Sequence, residues 1–375
     1  MIKKYLKKIF KKISYGIFFK LYGAIENSIE HSEDNRIKVK IITTENELSY
    51  KVYTISNCRL YTDRIQDTAA ILENKIIKGP SFQLRKRSDA HIFNSNIRDN
   101  IVFTQGTPRK LRNLNGSVLS LLTGGAGNNN YWHWLFDVLP RFGLCSKSTN
   151  LNEIDYFLLP SLLKQFQKGT LDSLKIPKHK RISSEKFRHI QAKELIITDH
   201  PVMVSGNATK DIQNIPSWIS LWLKNTFLNQ TVIDNKKTKN KIYIDRNETN
   251  SNLLSQRIII NDEEIKKYLL EKNFTIVKLH ETKFIDQVNL FYNAECVVGL
   301  HGAGFANIVF CESGTKIIEL KSLTAANAIK NLAQKNNLNY ISIAAQAKKI
   351  YDFEFPNQQG SIHIPINRLS KVIEN

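Results

Sequence analysis

The chain has 375 residues, 42% of them hydrophobic and 23% charged, with a formal net charge of +20. That apolar content fills two cores of ordinary domain size and excludes a disordered chain. The positive excess points to anionic partners such as nucleic acid, acidic lipid or phosphorylated ligands, while Cys58, Cys145, Cys296 and Cys311 lack C-x-x-C spacing and read as reduced thiols in a cytosolic setting, with no zinc site.

Residues 1–25 read MIKKYLKKIFKKISYGIFFKLYGAI. Ile2, Tyr5, Leu6, Ile9, Phe10, Ile13 and Ile17 recur at helical spacing, and Lys3, Lys4, Lys7, Lys8, Lys11 and Lys12 fill the other face. No apolar run approaches the roughly 20 residues of a membrane span, and no cleavage-site pattern follows. The segment is expected to lie as a basic amphipathic helix in the headgroup plane of an anionic leaflet.

From residue 37 to 116, short alternating runs such as 38–43 and 101–104 predict strands and turns. The run Arg85, Lys86, Arg87 reads as a solvated face. Residues 117–122 then form a buried strand that meets Gly124, Gly125 and Gly127, followed by Asn residues suited to capping a helix. In that helix Trp132, Phe136 and Leu139 make the apolar face, and His133, Asp137 and Arg141 stack at i, i+4, i+8, with Pro140 positioned to kink the helix before Arg141. An imidazole and a carboxylate on adjacent turns can share a hydrogen bond and serve proton transfer. Their place one turn after a Gly-rich strand end is where open α/β sheets put their ligands.

Residues 154–197 alternate strand and helix patterns, 211–230 reads as helix with Trp218, Leu221 and Trp222 apolar, and the polar stretch 234–240 marks the junction of two halves. The second half opens with the strand 241–246, which delivers Arg246 at its carboxyl end. Arg257 and Asn261 follow, then an acidic helix start at 262–264, a strand at 275–277 and a helix at 286–292. Arginine at such an end suits a diphosphate, because its planar donors pair bidentately with phosphate oxygens; an interdomain salt bridge is the other reading, and for Arg257 both stay open.

The densest signal is 297–310, VVGLHGAGFANIVF: a buried β-branched strand, a turn at Gly302 and Gly304, and an apolar segment with helical spacing. Strand, glycine turn and helix together build an anion site, with unpaired N–H groups on the first turn and small residues that let a phosphate approach. His301 sits at its rim, and Glu319, near the end of the next strand, could accept both hydroxyls of a ribose. Asn307 stands where a third glycine of a dinucleotide fingerprint would be, and no Walker A sequence occurs.

These blocks together resemble family 61 glycosyltransferases, which include bacterial capsular-polysaccharide biosynthesis proteins. The resemblance lies in 130–141 (NYWHWLFDVLPR), in Tyr243-Ile244-Asp245-Arg246 with Arg257 and Asn261-Asp262-Glu263, and in His301-Gly302-Ala303-Gly304 through Ser313-Gly314-Thr315 to Ile318-Glu319. It implies an α/β fold of GT-B type, two Rossmann-like lobes facing across a cleft, and an inverting, metal-independent transferase without cofactor. The expected layout is a membrane-surface helix at 1–25, an acceptor lobe at 26–215, a connecting helix and linker at 216–240, a nucleotide-sugar lobe at 241–350 and a tail at 351–375. Arg246, Arg257, His301, Gly302, Ala303, Gly304, Phe305, Asn307 and Glu319 are expected on the donor, and Trp134 and Arg141 on the acceptor. Asp137 is expected to take the acceptor proton with His133 orienting it, or His133 to be the base itself. The expected partners are a nucleotide-diphosphate sugar, a glycan or lipid-linked glycan and the inner face of the cell membrane. Two other classes stand beside this: a noncatalytic membrane-bound nucleotide-binding scaffold, and a nucleic-acid-binding protein, whose RNP or helix-turn-helix motifs are missing.

Overall fold

The computed structural model describes residues 2–45, 47–62, 68–81, 96–103, 106–122, 129–230, 239–246, 258–347 and 360–374. Two compact units divide the chain: residues 1–167 with 175–212, and residues 168–174 with 213–375. The helix Ser217–Phe227 and the C-terminal helix Ile366–Glu374, read from sequence as connector and tail, both belong to the second unit.

In the first unit the basic N-terminal segment forms helix α1, Ile2–Tyr22, closed by Gly23 at φ +79°. Its strands are β1 (Asn27–Ile29), β2 (Ile37–Thr43), β3 (Ser49–Thr62), β4 (Thr68–Leu72), β5 (Lys75–Ile77), β6 (Arg112–Ser120), β7 (Tyr156–Leu159), β8 (Arg181–Ser183) and β9 (His189–Thr198). They form a nine-stranded sheet in the order β1-β5-β4-β3-β9-β6-β7-β8, with β2 also on β3. Strands β9, β6, β7 and β8 run parallel, whereas β2, β3 and β4 pair antiparallel and β3 pairs antiparallel with β9. This corrects the expectation of a Rossmann-like lobe here: half the sheet is a meander whose short connections leave no room for crossover helices. Residues 101–103, expected as strand, are a 3-10 turn.

The second unit is doubly wound. Strands β10 (Asn240–Ile244), β11 (Phe274–Val277), β12 (Ala294–Leu300), β13 (Lys316–Ser322) and β14 (Asn339–Ala345) are all parallel, in the order β11-β10-β12-β13-β14. Counted within the unit this is 2-1-3-4-5, whose direction of winding reverses between β10 and β12. Runs such as Val297-Val298 and Ile317-Ile318 are buried on both sheet faces, which is why they read as continuous apolar strands. One side of the sheet packs Ile265, Leu269, Ile362, Ile364 and Leu369 against Tyr243, Val298 and Ile318.

Candidate active site

In the first unit, the carboxyl end of β6 leads through residues 123–128, including Gly124, Gly125 and Gly127, which lie outside the described residues, to a helical segment at 131–146. Asn130 caps it, its side chain accepting from Trp132 N at 2.9 Å. The first turn is α-helical, but 134–138 is a π turn, with Leu139 N donating to Trp134 O at 3.1 Å. Pro140 then starts the α-helix Pro140–Ser146, so the proline expected to kink the helix sits at a first position where its missing N–H costs nothing. Single π turns in helices recur at functional sites.

His133 and Asp137 meet as their spacing predicts. Nδ1 of His133 lies 2.8 Å from Oδ2 of Asp137, with the imidazole side chain 22% exposed and the carboxylate only 3%. Of the two, His133 is the one an outside molecule can reach. Arg141 is buried and turned inward, its Nε donating to the backbone oxygen of Asp137 at 3.1 Å and its Nη1 to Oγ1 and O of Thr198 at 3.2 and 3.3 Å. Burial lowers its guanidinium to about 10. Trp134 is fully buried against Phe166. Buried as they are, neither Arg141 nor Trp134 presents its side chain to an acceptor, and Arg141 braces the backbone at Asp137. Every residue from Trp134 to Val138 is buried, so this segment is covered all round, which a one-sided amphipathic spacing does not foretell.

His200 was not singled out from sequence, yet it follows β9 and lies close enough to Asp137, Arg141 and His133 to feel their charges. Its Nδ1 accepts from Val202 N at 3.2 Å and Met203 N at 3.3 Å, and burial lowers it to about 3, so it is neutral. The usable signal was its position just past a strand's carboxyl end.

In the second unit, Arg246 lies just beyond β10 and His301-Gly302 just beyond β12, on the two strands that flank the winding reversal. Ligands of open α/β sheets bind outside the carboxyl ends at such a reversal. Arg246 Nη1 donates to the backbone oxygen of His301 at 2.5 Å. A Cβ on Gly302 would lie 2.6 Å from that Nη1, and one on Gly304 would lie 2.9 Å from Leu279 Cδ1. The glycines thus make room first for the arginine and for packing, not for phosphate alone. Asp245, next to Arg246, is buried and paired with Lys266 at 3.2 Å.

The apolar segment after Gly302 is a 3-10 helix, Ala303–Phe310, where an α-helix was expected. Phe305 and Asn307 are buried; the Asn307 amide donates to Gln287 Oε1 at 2.9 Å and to Gly304 O at 3.3 Å. Their side chains are structural, which corrects the donor role expected of Asn307 and limits Phe305 to its backbone. Glu319 is fully buried, with Oε1 on His301 Nδ1 and Oε2 accepting from the Tyr340 hydroxyl. With both oxygens engaged inside, it does not reach a ribose, and the expectation that it does is withdrawn. Tyr340 was not singled out, since no motif marks it. Arg257 lies outside the described residues. Among the described residues no group of three or more His, Cys, Asp or Glu could hold a metal ion.

A parallel 2-1-3-4-5 sheet with arginine and a glycine turn at its winding reversal defines the second unit as a doubly wound α/β domain with a candidate ligand crevice. The chain belongs to glycosyltransferase family 61, whose sequence model, described as Glycosyltransferase 61, matches residues 131–318 and so takes in both His133-Asp137 and the Arg246-His301 crevice. The chain is similar to EGF domain-specific O-linked N-acetylglucosamine transferases: 28% identical over 109 residues to that of Canis lupus familiaris. The figure is 27% for Pan troglodytes and 26% for Mus musculus, over the same length. In each case the match takes in 28% of this chain and 20% of the relative.

Proposed function

We propose that this chain is an inverting glycosyltransferase that moves a sugar from a nucleoside-diphosphate sugar to a hydroxyl of a glycan acceptor, in capsule or other surface-polysaccharide synthesis. The observation that carries the donor half is the pairing of Arg246 with the His301-Gly302 turn at the winding reversal. There a guanidinium and the first N–H groups of the turn can meet a diphosphate without a metal, and they stabilise it as it leaves.

The acceptor half rests on His133. Its Nδ1 is held by a buried carboxylate, so Nε2 is the free nitrogen, placed to take the proton of the attacking hydroxyl while Asp137 fixes the tautomer and steadies the imidazolium that forms. The attack is a single displacement that inverts the anomeric centre. In this reading the first unit carries the acceptor chemistry and the second unit binds the donor. The relatives' printed activity makes an N-acetylglucosamine donor the first to try.

In this reading helix α1 attaches the enzyme to an anionic membrane surface at the cytosolic face. Its last turns are anchored: Phe18 is buried, with ring contacts to Tyr61 and Tyr22 at 5.3 and 5.4 Å, and the Tyr22 hydroxyl donates to Arg109 O. Tyr5, Leu6, Ile9, Phe10, Ile13 and Ile17 are all exposed, Phe10 to 71%. At about 100° per residue this stripe is centred roughly opposite the anchoring face. It therefore cannot fold onto the first unit without unseating Phe18, and exposed Lys8, Lys11 and Lys12 suit acidic headgroups. Among the described residues no helix is long and apolar enough to cross a membrane.

The test is a panel of nucleotide sugars with labelled sugar, assayed for transfer to glycan and lipid-linked acceptors with and without chelator. Transfer that survives chelation supports the reading. Binding without transfer or hydrolysis of any donor rejects it in favour of the scaffold alternative, and failure of every donor to bind rejects both.

A further inference from the structure

Parallel pairing sets Glu319 beside Gly299 on one flank and Ser342 on the other. Residues two apart on a strand share a face, so His301, Glu319 and Tyr340 converge on the same side of the sheet. A Cβ on Gly299 would meet Ile244 Cβ at 3.1 Å and the Phe305 ring at 3.3 Å, and beside it the His301 ring reaches across to Glu319. The result is a chain of hydrogen bonds from Tyr340 through a fully buried carboxylate to a histidine whose side chain is 10% exposed.

A buried carboxylate is costly unless its partners are worth keeping. Lys321, on the same face, lies 3.9 Å from Glu319 Oε2 and also donates to Ala326 O at 3.2 Å. Among the described residues, the charged and titratable groups linked to His301 are Arg246 and Glu319 directly, and Tyr340 and Lys321 through Glu319. With Nδ1 turned to Glu319, Nε2 is the ring nitrogen left to meet a ligand, on the residue whose backbone oxygen Arg246 holds.

We propose that Glu319 and Tyr340 are positioning residues that hold His301 ready to take up a proton when a diphosphate binds, making it a charged donor to the phosphates alongside Arg246. This rests on the donor-site reading above. A diphosphate brings more negative charge than one guanidinium answers; a proton on Nε2 supplies the second positive charge, and Glu319 answers Nδ1–H on the far side of the ring. The leaving diphosphate gains a hydrogen-bond donor that is charged only while the anion is present.

Calorimetric titration of the full chain with uridine and guanosine diphosphate, in buffers of different ionisation enthalpy at about pH 8, counts the protons taken up. The wild type is expected to take up most of one proton per nucleotide bound. His301→Gln should bind about tenfold more weakly with no such uptake. Glu319→Gln, close to isosteric, should still bind but lose most of the uptake, and Tyr340→Phe should fall between. A purely structural role for Glu319 would change melting temperature without changing the proton count. Uptake unchanged in His301→Gln or in Glu319→Gln overturns the inference alone, whereas no binding of either diphosphate overturns the donor-site reading and this inference with it.

Discussion

His133 holds its Nδ1 2.8 Å from Oδ2 of Asp137, and the exposed member of the pair is the imidazole. If His133 is the base and Asp137 its orienting partner, His133→Ala should lower kcat by roughly 10²- to 10⁴-fold with the donor KM little changed. Asp137→Asn, which leaves the geometry but disturbs the tautomer, should fall in the same range. Release of nucleoside diphosphate under saturating acceptor measures both. Full activity of His133→Ala would move the base elsewhere.

Gly302 has an extended backbone, φ 166°, that alanine also adopts, yet an added Cβ would sit 2.6 Å from Arg246 Nη1. Gly302→Ala should therefore push the guanidinium aside without straining the chain. The expected outcome is a loss of about tenfold in nucleoside-diphosphate affinity, close to 1.4 kcal/mol, with an almost unchanged melting temperature. Arg246→Ala should lose at least as much, and equal binding by both variants and wild type would reject the phosphate assignment.

The exposed stripe of α1 should bind vesicles rich in acidic lipid and ignore zwitterionic ones. Phe10→Asp with Ile13→Asp should abolish co-sedimentation while leaving transfer to a soluble acceptor intact. Gly106→Ala probes the anchor instead, since its Cβ would lie 2.2 Å from Phe18 Cδ1. It is expected to cost about 1–3 kcal/mol and to expose α1 to protease. A sharper concentration-dependent dimer in place of lipid binding would assign the stripe to a second copy of the chain.

Burial lowers His189 to about 4 and His200 to about 3, below the ordinary histidine value near 6.5. Both are neutral in the fold, so between these values and about 6.5 the unfolded chain binds more protons and stability rises with pH. On acidification from about pH 6.5 towards 4 the melting temperature should drop, His189 alone accounting for at most about 3 kcal/mol. His189→Phe, which packs against Tyr22 and Tyr61 as the imidazole does, should flatten that part of the profile.

The strands and the His133-Asp137 pair were legible because both follow from short-range periodicity: two for a strand, four for adjacent helical turns. Val297-Val298 announced a buried strand by being apolar without alternation. What stayed hidden depends on register between distant segments. Tyr340 reaches Glu319 only because β13 and β14 pair with Glu319 opposite Ser342, and nothing local encodes that offset. Glu319 itself looked like a ribose acceptor because a carboxylate near a strand end has two uses, and only burial separates them. In the first unit β2 and β3 alternate as any strand does, so their antiparallel pairing could not be told from the crossover pattern of a Rossmann-like lobe.

The turn at 134–138 has a consequence for how this segment can change. Its ladder bond spans five residues instead of four, so the direction His133 faces is set by a count of residues between Asn130 and Pro140 as much as by any side chain. Deleting one residue there would restore an ordinary helix and swing His133 by about 100° around the axis. Substitutions within the turn can drift in identity while its length stays locked.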